Sequence, residues 1–104
     1  MINFNEFKTE GIHPITAQHW VKLEYTAQVG EWSFVLVASG STFENSRRML
    51  WQVAAVHVSL DESGRLPEGW WNDKSIKSVK LLTRGSWNVA VAKCNAFVSN
   101  GFSK

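Results

Sequence analysis

Residues 20–38 alternate with a period of two, and that pattern limits the fold more than any other feature of the chain. Val21, Leu23, Tyr25 and Ala27 fall on one side of an extended backbone, and Lys22, Glu24, Thr26 and Gln28 on the other. Gln28-Val29-Gly30-Glu31 supplies a turn. Beyond it, Trp32, Phe34, Leu36 and Ala38 alternate with Ser33, Val35 and Val37. The spacing predicts an antiparallel hairpin over 20–39. Its second strand is apolar on both sides toward its end, so it belongs inside a sheet rather than at an edge.

Ser39-Gly40-Ser41-Thr42 is a breaker cluster, and Ser41 with Glu44 has the spacing of a capping box. Residues 49–60 are rich in strand formers (Trp51, Val53, Val56, Val58) and read as a strand; a helix across 42–55 is the alternative. Leu66 to Asp73, with Pro67 and Gly69, reads as a loop, and Lys74–Thr83 as a strand with Lys77, Val79, Leu81 and Thr83 on one side. Trp87, Val89 and Val91 alternate with Asn88, Ala90 and Ala92, which gives a last strand over 87–98. Near the start, Pro14 suits the first turn of a short helix over 15–18, and Phe4 and Phe7 sit three apart, as in one helical turn or a docked arm.

The fold class expected is therefore mainly β, with room for α+β through one or two short helices. It is a small antiparallel meander, a curled sheet or a barrel of about five strands. One domain over 1–104 is expected, with an N-terminal arm at 1–13 and a frayed tail at 99–104. Exposed sheet edges and the two-sided apolar stretches at 34–37 and 53–56 make a homo-oligomer a candidate assembly.

Composition narrows the class. Hydrophobic residues make up 44% and charged residues 19%, a globular balance that excludes disorder. The single cysteine, Cys94, permits no internal disulfide. The opening Met1-Ile2-Asn3-Phe4-Asn5-Glu6 lacks the basic and apolar regions of a signal peptide, and no apolar run is long enough to span a bilayer. A cytoplasmic protein without a membrane partner is expected. Charge is uneven: residues 1–70 carry five basic and eight acidic side chains, residues 71–104 six and one. The sign changes at Trp70-Trp71.

Signatures of chemistry are sparse. The chain has no phosphate-binding glycine loop, no dinucleotide fingerprint, no nucleophile elbow and no His-Glu-x-x-His. His13, His19 and His57 lack metal-ligand spacing, so no metal and no cofactor are expected. Cys94 lies among alanines, where a lone cysteine serves as a small buried hydrophobe rather than a nucleophile. Leu66-Pro67-Glu68-Gly69-Trp70 resembles the opening of a WW domain, but the resemblance stops there. Trp87 leads into Asn88-Val89-Ala90, and no proline follows Pro67.

What remains is a set of aromatic and basic residues: Trp70, Trp71, Lys74, Lys77, Lys80 and Arg84, with Trp87 behind them. Rings interleaved with cations suit single-stranded nucleic acid, where cations track phosphates and rings stack on bases. Spacing by three throws the lysines to alternate sides of a strand, which weakens that reading. In the structural alternative, Trp71 and Trp87 anchor a core while the lysines solvate a sheet edge. The leading expectation is a non-enzymatic binding protein. Its aromatic-rich surface, centred on 67–74, engages a protein partner or a small apolar ligand. A nucleic-acid-binding β domain is the first rival. An enzyme whose site brings together His57, a carboxylate or Cys94 is the second.

Overall fold

A computed structural model describes residues 2–41 and 50–103. Five strands form one antiparallel meander in sequence order: β1 (Asn5–Ile12), β2 (His19–Val29), β3 (Trp32–Ser41), β4 (Trp51–Val56) and β5 (Ser78–Gly85). One helix, α1 (Trp87–Ser99), follows. β1 and β5 do not pair, so the sheet stays open rather than closing into a barrel. Mainly β and meandering is what the alternation predicted. The expected β2–β3 hairpin forms, with Val29 facing Trp32 and Trp20 facing Ser41, so the turn itself is only Gly30-Glu31.

Several segments depart from the sequence reading, among them the strands expected over 49–60 and 74–83, which span only Trp51–Val56 and Ser78–Gly85. Residues 87–98 are helical, not extended. Trp87–Val91 fits a period of two and a period of 3.6 equally, but only the helix continues the pattern: Ala90, Cys94 and Phe97 are buried while Val89 is exposed. The helix ends carry their own signals. The Ser86 hydroxyl accepts the Val89 N–H at 3.3 Å, an N-cap. At the other end the Phe102 N–H donates to the Phe97 carbonyl and the Gly101 N–H to that of Val98, with Gly101 at φ 71. That is a Schellman closure, and it seats Phe102 on Phe97 with ring centroids 6.0 Å apart, so the segment expected as a frayed tail begins with a built cap.

The expected N-terminal arm is instead the edge strand β1, paired with β2 from Asn5–Thr26 to Ile12–His19. Both of its faces are largely wet, which erased the alternation that would have marked it. The expected short helix after Pro14 is the turn between β1 and β2. There the His13 ring nitrogen accepts the N–H groups of Ile15 and Thr16 at 3.2 Å. The capping box at Ser41/Glu44 and most of the alternative helix over 42–55 fall outside the described residues; its described end, Trp51–Ala55, is strand.

The sheet buries both faces, by different means. Helix α1 covers one. Phe34, Leu36, Trp51, Val53 and Ala55 meet Ala90, Cys94 and Phe97 there, and Tyr25, Trp87 and Phe4 close the end of the cluster. Tyr25 stacks on Trp51 at 5.4 Å, and Trp87 meets both rings edge-on. Two register shifts in the β4–β5 pairing let the consecutive Leu81 and Leu82 both join this cluster, where plain alternation predicted opposite faces. The small side chains of Ala90 and Cys94 allow the helix to lie close on the strands.

The second face is covered by the connection between β4 and β5, residues 57–77. Val35, Val56 and Leu66 form its buried centre, with Trp70 and Ile76 packed around them. A loop laid over a sheet must satisfy its own carbonyls. Thr26 and Ser33, both fully buried, serve that purpose: the Thr26 hydroxyl donates to the Gly64 carbonyl and Ser33 to that of Val58 at 2.6 Å. The Gln28 side-chain oxygen accepts the Leu60 N–H at 3.1 Å.

Candidate functional site

The 57–77 connection covers only part of the second face, and a cleft opens where the cover stops. Its floor is Val35, Val37 and Ala54, from β3 and β4. Trp70 and Trp71 form one wall; Lys22, Glu24, Gln52 and Lys80 rise from the strands around it. This lobe encloses about 280 Å³. A second lobe of about 380 Å³ runs under the loop toward Asp61, Arg65 and Glu68. Both lobes share Lys22, Glu24, Val35, Trp70 and Trp71, so the paired tryptophans stand at their junction.

Local chain geometry sets that pair. Gly69 has φ 79, and a single 3-10 turn follows over Trp70–Asn72. The turn holds the two rings edge-to-face at 5.9 Å and 84°. Trp70 points inward onto the second cluster, whereas Trp71 is 63% exposed. Neighbouring residues could not both enter one core, and Trp71, which the structural alternative had assigned to a core, is the one turned out.

Two aspartates stiffen the loop on either side. The Asp61 carboxylate accepts the Ser63 hydroxyl at 2.5 Å and the N–H groups of Ser63 and Arg65. Asp73 accepts the Ser75 hydroxyl and N–H at 2.6 and 2.9 Å. These bonds, the serine hydroxyls foremost, hold both carboxyls below the usual aspartate range. At the outer end Arg65 lies over the Phe7 ring, 4.2 Å from its centroid.

Of the residues singled out in the sequence, Trp70, Trp71 and Lys80 meet in the cleft. Lys74, Lys77 and Arg84 are exposed and do not line it. Trp87 belongs to the helix-covered core. Lys22 and Glu24 escaped notice because they sit on the polar side of the most regular strand, where a solvated face explains them locally. Only the fold carries Trp70 across to them.

Residues named for catalysis lie in unlike settings. Cys94 is fully buried under the helix, and burial pushes its thiol up to about 12, which disfavours the thiolate a nucleophile needs. His57 is exposed. Its Nε2 lies 3.3 Å from Glu31 Oε2, and its ring lies against Trp32. Among the described residues no three His, Cys, Asp or Glu side chains cluster as a metal site would require. No helix of the described residues is long and apolar enough to cross a membrane.

The chain was compared with protein-family models, with curated proteins and with solved structures, and none of the three comparisons gave a significant match.

Proposed function

We propose that this protein is a non-enzymatic binding protein whose two-lobed cleft holds a small apolar ligand against Trp71. The observation that carries the reading is the exposed Trp71 ring standing at the mouth of a cleft floored by Val35, Val37 and Ala54. An indole costs little entropy to immobilise and offers a broad flat surface, which suits it to binding. The cleft size falls in the range of sites for small molecules, and a few polar groups around an apolar floor orient a ligand. Lys22 and Lys80 favour a ligand with an acidic or otherwise electron-rich edge.

Glu24, Asp61 and Glu68 in the lining count against a polyanion tracking through the cleft. That weighs against nucleic acid.

Titration with anilinonaphthalene sulfonate, flat and singly anionic, tests the proposal through dye and tryptophan fluorescence. Saturable binding is expected, weakened about two- to twelve-fold in Trp71→Ala, as fits the ~0.5–1.5 kcal/mol of a stacked aromatic contact. Equal binding by wild type and Trp71→Ala would overturn it. Steep loss of oligonucleotide binding with added salt, in place of dye binding, would favour the nucleic-acid reading.

A further inference from the structure

We infer that two copies of this chain pair through the free edge of β1, antiparallel and centred on Thr9, to form one continuous ten-stranded sheet. This is independent of the cleft. β1 is hydrogen-bonded to β2 along its whole length, and no described strand lies on its other side. An eight-residue strand therefore presents unpaired N–H and C=O groups to solvent.

The side chains select the register. A two-fold axis perpendicular to the sheet keeps each side chain on its own face, so the pairing must centre on a residue. Centring on Lys8 sets Lys8 against Lys8 and Glu6 against Glu10, repulsive at every charged pair. Centring on Thr9 sets Lys8 against the second copy's Glu10 twice, over residues 6–12. Lys8 and Glu10 already lie 3.0 Å apart within one strand, and both are more than half exposed. The pairing would extend this contact into a square of alternating charges. Centring on Phe7 also gives Lys8 an acid, Glu6, but overlaps only residues 5–9 of the strand, and Glu6 already accepts the Tyr25 hydroxyl.

The same register covers apolar surface left open in one copy. Trp20 crosses the strand and lies over Gly11, where an added Cβ would come 2.3 Å from the ring. Trp20 remains 40% exposed and Ile12 60%. Centring on Thr9 brings Phe7 of one copy opposite Gly11 of the other, beside that Trp20, and places Ile12 opposite the methylenes of Glu6. The other edge strand is less suited. β5 carries two register shifts, and its Lys80 and Arg84 would repel a second copy.

Sedimentation equilibrium of the full chain tests the dimer, and charge exchange tests the register. Lys8→Glu and Glu10→Lys should each weaken association about tenfold or more, because like charges then oppose one another at two places. The double exchange K8E/E10K should restore it. Glu10→Lys separates the registers, since it would leave pairing centred on Phe7 intact. Thr9→Cys should form an intermolecular disulfide on mild oxidation. Facing residues in antiparallel strands have Cα atoms about 4.5–5.5 Å apart, within the reach of a disulfide, and Cys94 is buried and out of competition. A monomer at all concentrations would overturn the proposal. So would a dimer indifferent to the charge exchanges.

Discussion

The two faces of one sheet are covered in opposite ways. On one, a capped helix lays a regular row of side chains along β3, β4 and β5, and rings from β2 and the N-terminal segment fill its end. On the other, an irregular connection is held by a few anchors (Leu66, Trp70 and Ile76), by hydrogen bonds from Thr26 and Ser33, and by one that Gln28 accepts from Leu60. A helix satisfies its own backbone and can spend every inward side chain on apolar contact. A loop must have its carbonyls met, so its cover is shorter and more polar, and it stops before the sheet does. The cleft lies at that boundary. Stability is concentrated on the helix face and the candidate site on the loop face.

Substitutions on the two faces should differ accordingly. Phe97→Ala should cost about 3–5 kcal/mol, since it opens a cavity among Trp32, Phe34 and Phe102. Leu66→Ala, at the loop's anchor, should cost nearer ~2 kcal/mol, because a loop can collapse into the gap. Urea unfolding of both variants checks the order, and equal losses would erase the contrast. pH should also separate the faces. Cys94, raised to about 12 by burial, and Tyr25, raised to about 12 by burial and by Glu6, both sit on the helix face. Each is neutral in the fold where the unfolded chain would ionise. Their contribution is complete below about pH 9 and is lost as pH rises toward 12. Cys94→Ala should flatten that alkaline decline in a urea series. On the loop face the sign reverses. Asp61 and Asp73 have lowered values, so their contribution is present above the ordinary aspartate range and lost as acid protonates them. Protection of the Ser63, Arg65 and Ser75 amides relative to their intrinsic exchange rates should fall there.

Smaller effects sharpen the picture. Ser86→Ala removes the helix cap and should cost about 1 kcal/mol, read from the thermal midpoint. Trp71→Ala should change stability by no more than about 0.5 kcal/mol, since the ring is mostly exposed, while weakening dye binding as described above. A large stability loss there would make Trp71 a structural anchor and undo the division between the faces.

The sequence showed the β2–β3 hairpin because one face of it is buried and the other wet, the condition under which a period of two is visible. It hid β1, which is wet on both sides, and it disguised α1, whose first five residues fit either period. The structure makes Ser86 and Asn100-Gly101 the helix caps, signals the sequence reading passed over when it placed a strand and a tail there. In the site, the odd pairing of Trp70 with Trp71 and the position of Lys80 stood out along the chain. Lys22 and Glu24 did not, because nothing near them in sequence marks them.

The chain by itself determined a mainly antiparallel β architecture with a two-sided apolar central strand, since alternation and turn chemistry act over a few residues. Only the tertiary structure decided which elements cover that strand. Val35 and Phe34 are equally apolar in sequence, yet one lies under a loop and the other under a helix. Cover is a contact between segments tens of residues apart. It is set by where the connection from β4 to β5 finds donors for its carbonyls, and the turn at Trp70–Asn72 then leaves Trp71 facing solvent.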